Sequence, residues 1–111
     1  MIYDQENIFA KILRGEIPCD KIYEDEYILS FNDINPQAKM HILIIPKDPY
    51  IDVADFFQNA NAQYQTNFWA SVNTIIDNLA LRDKGFQIKT HKGKDGGQEV
   101  FHFHIHLLSN S

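Results

Sequence analysis

Three histidines stand at alternate positions of an apolar run, "FHFHIHLL" at residues 101–108, and no other stretch restricts the fold as much. Successive side chains of a strand point to opposite faces. His102, His104 and His106 then share one face, while Phe101, Phe103, Ile105 and Leu107 fill the other. The apolar face reads as core. The histidine face reads as the wall of something wet, polar or anionic.

The remaining elements follow from periodicity and turn chemistry. "NIFAKILRG" places Ile8, Phe9 and Ile12 on one helical face, with Gly15 as the stop. "DKIYEDEYILSFNDI" predicts two short strands around an acidic turn at Glu24 to Glu26, and "INPQAK" a loop. "MHILIIPK" is a third strand, apolar on both faces and ended by Pro46. From Asn61 to Leu81, Trp69, Val72, Ile76 and Leu79 recur at helical spacing. "GFQIKTH" predicts a fourth strand, "KGKDGGQ" a glycine-rich turn and "EVFHFHIHLL" the fifth strand. Short connections and two separated helices favour an α+β domain with a five-stranded antiparallel sheet, a single domain over residues 1–111.

Composition narrows the partners. A formal net charge of −5 disfavours a polynucleotide ligand, which needs a basic surface, but leaves room for a small anion held locally. Cys19 is the only cysteine, so no intramolecular disulfide forms and a cytoplasmic setting is expected. The start, "MIYDQENIFAKILRG", lacks a long apolar h-region, and no run reaches membrane-spanning length. The expected setting involves neither membrane nor nucleic acid.

Two chemistries compete for the histidine face. His-x-His on a strand supplies two side-by-side zinc ligands, but His102 and His106 lie roughly 13 Å apart along an extended chain. Zinc would then need His41, His91 or Cys19, and neither C-x-x-C nor H-E-x-x-H occurs. Phosphate chemistry uses the row differently: a neutral imidazole attacks phosphorus near pH 7, and an imidazolium donates to phosphate oxygens. The adjacent turn supports this second reading, since Gly93, Gly96 and Gly97 allow backbone N–H groups close to an anion.

These residues resemble the histidine triad (HIT) family. "HFHIHLL" matches its motif, His-φ-His-φ-His-φ-φ with φ apolar, and "GKDGGQEVFHFHIHLL" resembles the longer signature of the Hint nucleotide-binding branch. "IFAKILRGEIP", "YEDEYILSFNDINPQA" and "HILIIPK" resemble earlier blocks of that branch in the same order, so the likeness runs from about Ile8 to Leu108.

The resemblance implies a homodimer whose sheets join about a two-fold axis. It implies binding of purine nucleotides and hydrolysis of nucleoside phosphoramidates, releasing an amine from AMP or GMP, with no cofactor and no metal. By the resemblance, His104 matches the nucleophile that becomes nucleotidylated. His102 matches the first triad member, which helps fix the central ring, His106 the donor beside the α-phosphate, and His41 the additional family histidine. Asp33 matches the acid that holds the ribose hydroxyls. Phe9, Ile12, Phe31, Asn32 and Ile34 match the base pocket, with plain core as the alternative for the apolar ones. Gly97, Gln98 and Glu99 match the turn that meets the phosphate.

Two departures bear on the substrate. His91 occupies a place where relatives commonly carry an amide near the phosphate or leaving group. The branch also often continues past the triad into a glycine pair and a tail, where this sequence reads "SNS". Two other functions stay open: a nucleotide-binding regulatory module with little turnover, and a dinucleoside polyphosphate hydrolase.

Overall fold

The structure, a computed structural model, describes residues 1–111. Its elements run α1 (Ile8–Leu13), β1 (Lys21–Glu24), β2 (Ile28–Asn32), β3 (Met40–Pro46), α2 (Val53–Asn59), α3 (Ala62–Asn78), β4 (Gln87–Lys89) and β5 (Ile105–Ser109). All strand pairs are antiparallel, in the order β1-β2-β3-β5-β4. The predicted sheet and its two helices are present. A third, short helix, α2, stands between β3 and α3, capped by the Asp52 side chain on the Asp55 N–H at 2.8 Å. No helix is long and apolar enough to cross a membrane.

β3 sorts its side chains between two cores. Ile42 and Ile44 join Ile28, Ile105 and Leu107 on the face covered by Phe56 of α2 and by Phe68, Val72, Ile75 and Ile76 of α3. Leu43 and Ile45 join Leu29 and Phe31 on the opposite face, covered by Phe9 of α1. α3 turns Phe68, Val72 and Ile75 inward at spacings of four and three, leaving Trp69 at the rim, 38% exposed.

The histidine strand is shorter than its alternation predicts. β5 starts at Ile105, so His106 lies in the sheet while His104 lies in the irregular residues just ahead of it and His102 in a bend. The reason lies in the neighbouring strand. β3 and β5 pair Met40 with Ser109 and Ile44 with Ile105, and continuing that register would set Pro46 opposite Phe103. Proline has no N–H to extend the ladder. The Phe103 N–H bonds instead to the Tyr50 carbonyl at 2.7 Å.

The β1–β2 turn is tied to α3 through one carboxylate. Asp25 Oδ1 accepts the N–H groups of Tyr27 and Ile28 at 2.8 and 3.0 Å, and Oδ2 accepts the Ser71 hydroxyl. Removing it leaves those donors unpaired in a partly buried place, at a cost of about 1–3 kcal/mol. Asp25→Ala is expected to lower the urea unfolding free energy by about that amount, with the slope on urea unchanged. Parent stability in the variant would contradict the tie.

Candidate active site

The face of the sheet that carries α1 opens into a cavity of about 550 Å³. His41 from β3 and His106 from β5 stand on its floor, with His104 beside them. Phe9, Ile12, Phe31 and Leu43 give an apolar side, Asp33 and Asn32 the end of β2, and Gly97, Glu99 and His91 the opposite rim. Ile34 lines the mouth and is 87% exposed, so it is no core residue. Phe9 packs edge-on against both Phe31 and His104, with centroids 5.6 and 5.0 Å apart.

The rings of His102, His104 and His41 each have one nitrogen fixed by a backbone group, and this assigns their protons and, through His41, that of His106. His104 Nδ1 lies 2.7 Å from the His102 carbonyl oxygen, an obligate acceptor, so Nδ1 carries the hydrogen. Nε2 is then the unprotonated ring nitrogen. The Gln37 N–H donates to His41 Nδ1 at 3.0 Å, which places the His41 hydrogen on Nε2. That hydrogen faces His106 Nδ1 at 2.9 Å and Asp33 Oδ2 at 3.3 Å. With Nδ1 accepting, His106 presents Nε2–H as its donor. His91 completes the cluster edge-on to His106, centroids 5.4 Å apart.

Donor atoms of Asp33, His41 and His106 converge within 4.8 Å, a spacing that suits a metal ion. The Gln37 amide argues against that use. A metal on His41 Nε2 would move the ring hydrogen to Nδ1, pointing it into the Gln37 N–H. The three groups fit a hydrogen-bond chain better than a metal nest.

His102 packs against Phe9 of α1, as His104 does, but does not reach the cavity. It is fully buried and absent from the cavity wall. Its Nε2 lies 2.8 Å from the carbonyl oxygen of Pro46, and the Tyr3 hydroxyl reaches its Nδ1 at 2.6 Å. Only His104 and His106 of the triad meet the cavity.

The glycine turn also differs in detail. Gly93 and Gly97 adopt left-handed backbone, φ +71 and +83, which glycine alone takes without strain. The amides of Gly96, Gly97 and Gln98 bond to carbonyls inside the turn, and the Gly93 N–H is held by the Gln98 side chain. These amides are therefore already engaged and not directed at an anion. Gln98 is a strut: it is buried, and its Nε2 reaches the carbonyls of Ile51 and Val100. Asn32 is likewise occupied, donating to Asp20 at 2.7 Å. Tyr3, Gln37 and Thr90, whose hydroxyl donates to the His104 carbonyl at 2.8 Å, escaped the sequence reading. They act on the histidines through positions no periodicity marks.

Residues 14–111 match the HIT domain. A 13.2 kDa HIT-like protein of Azospirillum brasilense is 44% identical over 107 residues, covering 96% of this chain and 88% of that protein. The purine nucleoside phosphoramidase of Escherichia coli K12 is 36% identical over 107 residues, covering 94% and 87%. A solved structure of a HIT family hydrolase from Clostridium thermocellum superposes with a TM-score of 0.85 at 37% identity, covering 95% and 90%.

Burial, first of all causes, lowers His102 to about 4 and His106 to about 4, from an ordinary 6.5. It lowers His104 too. All three rings are neutral at pH 7. Between pH 6.5 and about 4 the unfolded chain binds more protons than the folded one, so stability falls on acidification across that window. The melting temperature is expected to drop as pH goes from 7 to 4, and more shallowly in His102→Asn. Identical slopes for variant and parent would remove His102 from the account.

Proposed function

The chain belongs to the HIT family, and from that premise we propose that it is a hydrolase of nucleoside phosphoramidates, binding a purine nucleotide and cleaving its P–N bond. The observation that carries this reading is the His104 Nδ1–H on the His102 carbonyl at 2.7 Å. It aims an unprotonated Nε2, on a ring kept neutral by burial, from the wall of a nucleotide-sized cavity. The similarity to a purine nucleoside phosphoramidase supports the substrate class.

In the proposed reaction the purine lies against Phe9, Ile12 and Phe31, and Asp33 takes the ribose hydroxyls. The His104 Nε2 lone pair forms a bond to the α-phosphorus in line, and the P–N electrons leave with the amine, which takes up a proton from solvent. Positive charge on the nucleotidylated ring is met by the His102 carbonyl. His106 Nε2–H donates to a non-bridging oxygen, held in that tautomer by the chain from Gln37 through His41. A water oxygen then bonds to phosphorus and gives up a proton to solvent, while the N–P electrons return to Nε2, releasing AMP or GMP. His91 stands at the leaving-group edge. No cofactor is called for.

Two expectations test this. His104→Ala should lower turnover of adenosine phosphoramidate by several orders of magnitude while AMP still binds. A nucleotidyl adduct trapped during parent turnover should map to His104. AMP binding without catalytic release by the parent would favour the regulatory-module reading, and faster release from diadenosine polyphosphates the dinucleotide one.

The proposed assembly is a homodimer of single-domain chains. β4 is an edge strand with all three residues exposed, and Phe86, Ile88 and Trp69 are 39%, 43% and 38% exposed large hydrophobics. Light scattering is expected to return twice the 12.9 kDa chain mass at micromolar concentration. A monomer mass across that range would refute the pairing.

A further inference from the structure

We propose that Tyr3 is a positioning residue for the nucleophile: its hydroxyl locks the His102 ring, and the carbonyl of His102 in turn holds His104. The inference rests on the phosphoramidase reading for its kinetic consequence, but its geometry is independent of substrate. Tyr3 precedes residues 14–111, the stretch that matches the HIT domain, and it does not line the cavity.

The direction of the bond follows from the second ring nitrogen. His102 Nε2 faces the Pro46 carbonyl at 2.8 Å and must be the protonated nitrogen. Its neutral ring then offers only a lone pair at Nδ1, so the Tyr3 hydroxyl, 2.6 Å away, donates. Burial raises the Tyr3 pKa, which keeps that hydroxyl a donor at neutral pH. The two rings meet edge-on with centroids 5.6 Å apart, and Phe9 closes the other side at 6.4 Å. With both nitrogens bonded and no exposure to water, His102 cannot turn. Its main chain is fixed with it, and so is the oxygen that receives His104 Nδ1–H.

Without the hydroxyl, a fully buried acceptor is left unpaired and the ring shifts to find another donor. The His102 carbonyl follows, and the nucleophile loses aim. A packing role for the Tyr3 ring makes a different forecast, because phenylalanine would fulfil it.

The experiment compares Tyr3→Phe, Tyr3→Ala and the parent in three measurements. Turnover of adenosine phosphoramidate should fall about tenfold in both variants alike, the scale of a misaligned group. AMP affinity by calorimetry should stay within about twofold of the parent, the mark of a loss in kcat and not in ground-state binding. Solvent exchange of the His104 Nδ1–H, followed by NMR in the free protein, should be faster in Tyr3→Phe. Parent-like turnover in Tyr3→Phe, or an equal loss of AMP affinity, overturns the proposal. An unchanged exchange rate overturns it even without any turnover. Faster exchange in a protein whose parent shows no turnover would sink the phosphoramidase reading and leave the hydrogen-bond chain standing.

Discussion

Burial of β3 on both faces is the constraint on which the other features depend. A strand with Ile42 and Ile44 in one core and Leu43 and Ile45 in another needs cover above and below, and partners at both edges. The long helix and α2 supply the cover on one side. Only short α1 covers the other, so that face stays partly open where β3 and β5 meet, and the cavity forms there. The same strand's end sets the geometry of the histidines. Pro46 cannot continue the ladder, yet its carbonyl remains free to accept from His102.

The site acquires its directionality from main-chain atoms more than from charged side chains. A carbonyl can only accept and an amide N–H can only donate, so each removes the ambiguity of an imidazole. The carbonyl of Pro46 fixes His102, that of His102 fixes His104, and the amide of Gln37 fixes His41 and through it His106. Burial then keeps the triad rings uncharged. Strand and loop backbone cannot rotate as a hydroxyl or a carboxylate does, so the tautomers are built into the fold.

Much of this was legible in the chain itself. The run of Met40–Pro46, apolar on both faces, the helical spacing after Asn61 and the collinear motif blocks placed β3, α3, His41, His104 and Asp33. Strict alternation did not show that His102 is kept off the cavity wall, because side-chain spacing says nothing about what covers a residue. Pairing stops at Ile105, and the first histidine lies in a bend, fully buried beneath Tyr3 and Phe9. The turn misled for a related reason. Three glycines permit amides to face an anion, but the same freedom lets the turn bond to itself, and Gln98 holds it closed. α2 had a readable signal in the Asp52 cap, though only seven residues support it. Tyr3 had none, since a contact spanning 99 positions leaves no trace in local pattern.

Neutral rings also reconcile an acidic chain with the anionic ligand proposed for it. Asp20, Asp33 and Glu99 line the cavity against Lys89 as the sole lysine or arginine there. Long-range attraction of a phosphate is therefore weak, and recognition falls to short-range contacts: apolar cover for a base, and fixed N–H donors for phosphate oxygens. A row of imidazolium ions would hold the anion more tightly but would leave no lone pair to attack it. Burial resolves that conflict by keeping His104 unprotonated, while the hydrogen-bond chain gives His106 a donor without a charge. The alternation of histidine and apolar residues is how the chain buries these rings while leaving two of them on the cavity wall.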